Sequence, residues 1–308
     1  MGGECENSHR HSFGPFRIKK AGGRRAQTAF FSDEVMASAQ HVATKKLLIV
    51  VLHMIYPDSG KDPVEHTMGQ CQVAVENGAD GVAVITGEHR ISDAQLEQTA
   101  DQIQSKYPQL VLIINYMCPT HDAMTKVPDF ADGLWTDKGV DGRGCQSRVE
   151  EGATIRASRA ADWSGRWFAG FFHKGGDRQL PEDDAALQAL ADQFLALHPS
   201  VIPTTTGAGT GIPADIPALA RLFKAIGGRK PMAIASGVDA QNVHAYLPYI
   251  DYFFVATGIE QPCADPSTIA FYESAGLPLS AAVSIGHLDP IRVRALADAI
   301  HSYAQAAF

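Results

Sequence analysis

The chain has 308 residues, 45% hydrophobic and 19% charged, enough apolar material for one large buried core. A formal charge of −8 and an isoelectric point near 5.8 argue against a basic nucleic-acid-binding surface. The 5 cysteines lack paired zinc or disulfide spacing, and no apolar run approaches the ~20 residues of a bilayer span. The expectation is a cytoplasmic protein with no transmembrane segment and no nucleic-acid partner.

Residues 1–45 mix Gly, His and basic side chains without an apolar period or a signal-type apolar stretch, and read as a loosely structured N-terminal extension. From Lys46 onward short runs rich in Val, Ile and Phe recur: Leu47 to Ile55, Gly81 to Ile85, Leu110 to Asn115, Phe130 to Trp135, Trp167 to His173, Val201 to Thr205, Pro231 to Ala235 and Tyr252 to Ala256. Continuous apolar runs of this length suit strands buried on both faces. Between them lie helical patterns, among them Asp93 to Lys106, Pro181 to Leu197, Ala214 to Ile226 and Gln241 to Leu247, with Pro290 to Ala304 as the last. About eight alternating units predict a (β/α)8 TIM barrel over residues 46–308. An open doubly wound sheet is the competing architecture, but no GxGxxG follows the first strand. The Pro, Ala and Ser-rich stretch Gln261 to Gly286 is expected to wrap the barrel.

Side chains at the C-terminal strand ends of such a barrel converge on one mouth. Here the set is His53, Glu88, Asn115, Asp137, His173, Lys174, Thr206, Ser236 and Asp239. Glu88 and Asp137 suit an acid–base or water-activating pair, Asn115 a hydroxyl-orienting role, and His53 either a base or a satisfied core histidine. Lys174 reads as an imine-forming amine or as a charge partner for phosphate or Asp137. Arg148, Arg156 and Arg159, beyond strand four, include a candidate substrate clamp. No cofactor is required; His53, Glu88, His89, Asp137 and His173 are compatible with a divalent metal, without HxH or HExxH spacing. Three glycine corners, TTTGAGTG, ASGVDAQN and VATGIE, follow the sixth to eighth runs. Ser236, Gly237, Val238, Thr257 and Gly258 therefore form the expected phosphate cradle, with Thr206, Gly207, His173 and Asp239 as further substrate contacts.

The motifs TGAGTGIPADIPAL (Thr206 to Leu219), PMAIASGVDAQNVHAYL (Pro231 to Leu247), IDYFFVATGIE (Ile250 to Glu260) and LDPIRVRAL (Leu288 to Leu296), in that order, resemble the BtpA family of barrel proteins. That family is named for a photosystem I biogenesis factor and includes nucleosidase-like members. The chain departs from it at IYPDSG (Ile55 to Gly60), where a PLPG-type loop is usual, and at ITGEH (Ile85 to His89), which displaces Glu88. It also has Gly170 near a usual Asp and Glu260 near a usual Lys. The resemblance implies a barrel protein and names no substrate; the corners point to an enzyme acting on a small phosphorylated sugar or nucleotide, and fold-level analogy to cleavage of an N-glycosidic bond, with homo-oligomerisation compatible. A phosphosugar isomerase or Schiff-base lyase using Lys174 is the alternative reaction, and a non-catalytic assembly or ligand-sensing factor the alternative class.

Overall fold

A computed structural model describes residues 45–57, 60–86, 90–118, 120–137, 163–174, 180–275 and 282–306. The N-terminal extension, Glu88, His89, Arg148, Arg156 and Arg159 lie outside the described residues. The apolar runs become β1 (Leu47–Met54), β2 (Gly81–Thr86), β3 (Val111–Asn115), β4 (Gly133–Thr136), β5 (Arg166–Gly170), β6 (Val201–Thr206), β7 (Ala233–Ala235) and β8 (Tyr252–Val255). Each pairs in parallel with its chain neighbours, and β8 pairs with β1, so the sheet closes into the expected eight-stranded barrel.

Strand alternation separates two cores. Leu48, Val50 and Leu52 belong to the larger outer core that the helices cover, whereas Ile49 and Val51 point inward with Ala83, Ile113, Phe168, Ile202 and Phe254. Both faces are dry, which is why these runs are continuous rather than alternating. Each fully buried Val, Leu, Ile or Phe side chain contributes about 1.5–3 kcal/mol relative to exposure.

A sequence device fixes the N-terminal end of the barrel. Asp80, Asp132 and Asp251 each immediately precede a strand, and each carboxylate accepts the backbone N–H of a residue at or beside the start of the preceding strand: Leu48 at 2.9 Å, Leu112 at 2.9 Å and Met232 at 3.0 Å. Two of them sit in Ala-Asp-Gly triplets, Ala79 to Gly81 and Ala131 to Gly133. A strand's first donor, otherwise buried without a partner, is satisfied in this way.

The helices are α1 (Pro63–Glu76), α2 (Asp93–Lys106), α3 (Thr120–Lys126), α4 (Asp184–Leu195), α5 (Ile216–Ile226), α6 (Pro266–Ser274) and α7 (Pro290–Ala306). Asp62, Ser92, Asp183 and Asp215 cap α1, α2, α4 and α5, and Ser92 with Gln95 forms a full capping box. Two expectations need correction. Gln241 to Leu247 does not form an α-helix: only a 3-10 turn, Val243–Ala245, is present. Asp239 Oδ1 accepts from Gln241 N and Asn242 N while Asn242 Oδ1 accepts from Asp239 N, a reciprocal turn just before Pro248. The stretch after β8 is not a plain wrap either, since Glu260–Pro262 (β9) pairs antiparallel with Val283–Leu288 (β10), with α6 between them.

Candidate active site at the barrel mouth

Register sets the first two mouth residues. His53 pairs with Ile85 and Ile85 with Asn115, so His53 and Asn115 stand at one level, two strands apart. The amide of Asn115 donates from Nδ2 to Asp137 Oδ1 at 3.1 Å, and its Oδ1 accepts the N–H of Met117 at 2.9 Å. With oxygen and nitrogen both engaged, the amide holds the Asp137 carboxylate in one orientation. His173 Nε2 lies 3.9 Å from the same Oδ1, and its Nδ1 lies 3.0 Å from the carbonyl oxygen of Lys174. A carbonyl only accepts, so Nδ1 is the donor there. Nε2 then faces the carboxylate as a lone pair in the neutral ring and as a donor in the cation, an arrangement able to take up and return one proton.

Lys174 continues the chain of contacts. Its backbone N–H donates to Thr206 Oγ1 at 2.6 Å, and its ammonium Nζ donates to Ser236 Oγ at 3.0 Å and Thr210 Oγ1 at 3.1 Å. Asn115, Asp137, His173, Lys174, Thr206 and Ser236 are therefore joined from β3 across to β7. Thr210 is an addition that sequence reasoning misses; a hydroxyl in a glycine-rich loop carries no periodic signal.

Backbone strain gathers at the same end. The described non-glycine residues with positive φ are Met117 at 53°, Phe172 at 53° and Ser236 at 80°, following β3, β5 and β7. A bulky residue in this region is a conformational outlier and costs on the order of 1–3 kcal/mol. Such strain concentrates where side chains must be aimed.

The glycine corners have a packing cause. A Cβ on Gly237, whose φ is 71°, would run into the backbone of Ile212 and Pro213, and one on Gly258 into the carbonyl of Val238. Gly207 likewise abuts Ile212. The corners thus stack backbone on backbone, and the Asp239, Gln241 and Asn242 amides are used within their own turn. The polar side chains that meet beside these corners are those of Lys174 and Ser236. Two clefts border the corners. One of ≈ 280 Å³ is lined by Asp239, Gln241, Gly258 and Arg292, and one of ≈ 210 Å³ by Phe172, Thr206, Gly207 and Leu219.

His53 stands apart from this chain. Its Nδ1 is 3.4 Å from Glu260 Oε1. Glu260, 1% exposed, also accepts the N–H of Gly286 at 2.8 Å, and its own carbonyl accepts from Arg292. In the sequence Glu260 stands out only as a departure from a family pattern, because nothing local marks it as facing His53. Trp135, inside the barrel, packs edge-on to His173 at 6.5 Å between ring centroids. Among the described residues no cluster of three or more His, Cys, Asp or Glu is placed to hold a metal, and no helix is long and apolar enough to cross a membrane.

No protein-family model matches the chain, and no curated protein matches it. The BtpA resemblance thus rests on the quoted motifs. Solved structures match the fold. A native KDPGal structure is 11% identical over 84% of this chain and 96% of its own, with a TM-score of 0.51. Phospho-2-dehydro-3-deoxyheptonate aldolase from Thermotoga maritima is 13% identical over 85% of this chain and 70% of its own, at 0.53. The tryptophan synthase alpha chain from Legionella pneumophila subsp. pneumophila is 12% identical over 83% and 92%, at 0.50. At such identities the likeness is one of fold, the TIM barrel.

Proposed function

We propose that this barrel is a lyase acting on a small phosphorylated sugar in its open carbonyl form, through an imine at Lys174. The carrying observation is the placement of the Lys174 amine at the mouth, fixed by the Ser236 and Thr210 hydroxyls and next in chain to His173, whose ring reaches toward Asp137. Imine formation joins the deprotonated Nζ to the carbonyl carbon and releases the carbonyl oxygen as water. His173 supplies the proton that this departure needs. The protonated imine then accepts the electron pair of the neighbouring carbon–carbon bond as a base removes the proton from the hydroxyl beyond it. An aldehyde leaves, and the enamine is protonated and hydrolysed, restoring the lysine. The phosphate is assigned to the hydroxyls of Ser236 and Thr257, beside the Gly237, Val238 and Gly258 corners, where protein backbone already takes up the close approach at the glycines. One barrel of the same fold is named an aldolase, an analogy that sets only the order in which substrates are tried.

The second reading, hydrolysis of an N-glycosidic bond, is favoured by the Asn115–Asp137 bond, which aims a carboxylate as water activation requires. One experiment separates the two. The protein is incubated with dihydroxyacetone phosphate, ribose 5-phosphate or a nucleoside 5′-monophosphate, with and without borohydride, and its mass is measured. A reduced adduct at Lys174 supports the imine. Release of free base from the nucleotide, with no adduct from any compound, replaces the lyase by the glycosidase.

A further inference from the structure

The mouth chemistry above leaves one buried charged residue without a task. Glu260 follows β8 at the start of β9, and its carboxylate, in a side chain 1% exposed, meets His53 of β1 and Gly286 of β10. An ionised carboxylate taken out of water is costly unless hydrogen-bonded or paired. One oxygen of Glu260, Oε1, accepts the N–H of Gly286 at 2.8 Å and is 3.4 Å from His53 Nδ1. His53 Nδ1 is itself buried and makes no hydrogen bond among the described residues, while 26% of the His53 side chain remains exposed. The ring therefore turns one nitrogen toward the carboxylate and keeps part of its surface at the mouth.

We infer that Glu260 is a positioning residue for His53: it draws the Nδ1 proton toward its carboxylate and leaves the Nε2 lone pair for the mouth. A carboxylate beside an imidazole accepts from the ring nitrogen that faces it and so fixes the tautomer. Groups facing this pair from the surrounding elements are few. From α1, His66 Nε2 meets the carbonyl of Gly286 at 2.9 Å, the same residue whose N–H Glu260 receives; from β10, His287 packs edge-on to His66. From α7, Arg292 donates to the Glu260 backbone carbonyl and not to its carboxylate. Among the described residues the carboxylate that meets His53 is that of Glu260. The device concerns one proton on one ring.

The inference rests on the reading of this end of the barrel as the substrate mouth, and its test does not. Histidine ring nitrogens are observed by ¹⁵N NMR across a pH titration of the whole protein, with His53→Gln identifying the resonances. In the unaltered protein the neutral His53 ring is expected to carry its proton on Nδ1. In Glu260→Gln, whose amide oxygen still accepts from Gly286 while the negative charge is gone, the preference for Nδ1 is expected to weaken, read as a rise in the share of neutral His53 protonated on Nε2. A neutral ring protonated on Nε2 in the unaltered protein, or a tautomer share unmoved by Glu260→Gln, overturns the inference. If Glu260→Gln does not fold, the tautomer in the unaltered protein decides alone. Failure of imine trapping at Lys174, by contrast, leaves both NMR readouts unaffected.

Discussion

The hydroxyl that steadies the Lys174 amine, Ser236 Oγ at 3.0 Å, is carried by a residue whose backbone sits at φ = 80°. Serine has no intrinsic preference for this region, and glycine does. Ser236→Gly is expected to relieve on the order of 1 kcal/mol of strain and so raise the thermal midpoint by about 2 °C. It removes the hydroxyl at the same time, so trapping at Lys174 falls. Ser236→Ala keeps the strained backbone and loses only the hydroxyl. Calorimetry on the two variants checks the idea: equal midpoints would show that backbone strain is not what glycine relieves.

Charge and nucleophilicity at Lys174 are separable. Lys174→Arg preserves a cation beside Ser236 and Thr210 but cannot form an imine, since guanidinium stays protonated in proteins. The expected result is complete loss of the borohydride adduct, with stabilisation by inorganic phosphate retained within a few-fold. Lys174→Met should lose both. Thermal shifts in phosphate, read through binding linkage, give the measurement. An adduct persisting in Lys174→Arg would move the reactive amine elsewhere.

The barrel itself was legible because burial on two faces leaves a mark in sequence: continuous Val, Ile and Phe runs such as Leu47–Met54 or Tyr252–Val255, separated by helical spacers, fit a parallel sheet covered on both sides. The placement of His53, Asn115 and Thr206 at strand ends follows from topology, since strand ends converge wherever a barrel closes. Three things were hidden. The Glu260–His53 approach joins positions far apart in sequence and depends on how β9 turns back after β8. The turn at Asp239 and Asn242 looks like a helix start because the same side chains cap helices and close turns. The glycines at 237 and 258 signal a tight approach, but sequence does not say whether ligand or protein backbone makes it, and here Ile212 and Val238 do.

His66 gives the protein an acid-sensitive joint. Burial pushes its imidazole below the usual 6.5, with the Gly286 carbonyl acting in the opposite direction. A histidine kept neutral in the fold takes up its proton more readily when unfolded, so its contribution is complete above 6.5 and is lost as pH falls below that value. Urea midpoints measured at about pH 5 and about pH 8 should therefore differ in the unaltered protein by more than in His66→Gln, whose amide can still donate to Gly286. Identical pH dependence in the two proteins would remove His66 as the cause.

The aspartates that precede strands make the clearest stability prediction, because their task lies at the opposite end of the strands from the mouth. Asp132 Oδ2 accepts the N–H of Leu112, a fully buried residue, at 2.9 Å, and the Asp132 backbone also bonds to its two neighbouring strands through Leu112 O and Arg166 N. Asp132→Ala leaves the Leu112 donor buried without its acceptor, at a cost of about 1–3 kcal/mol. Asp132→Asn keeps a side-chain carbonyl in the same place and should recover most of that loss. Both variants should form the Lys174 adduct as well as the unaltered protein does, since nothing at the mouth is touched. Urea denaturation of the three proteins distinguishes the cases: if Asn and Ala at this position are equally destabilising, the carboxylate acts through its charge and not as an acceptor for the strand, and the parallel roles assigned to Asp80 and Asp251 fail with it.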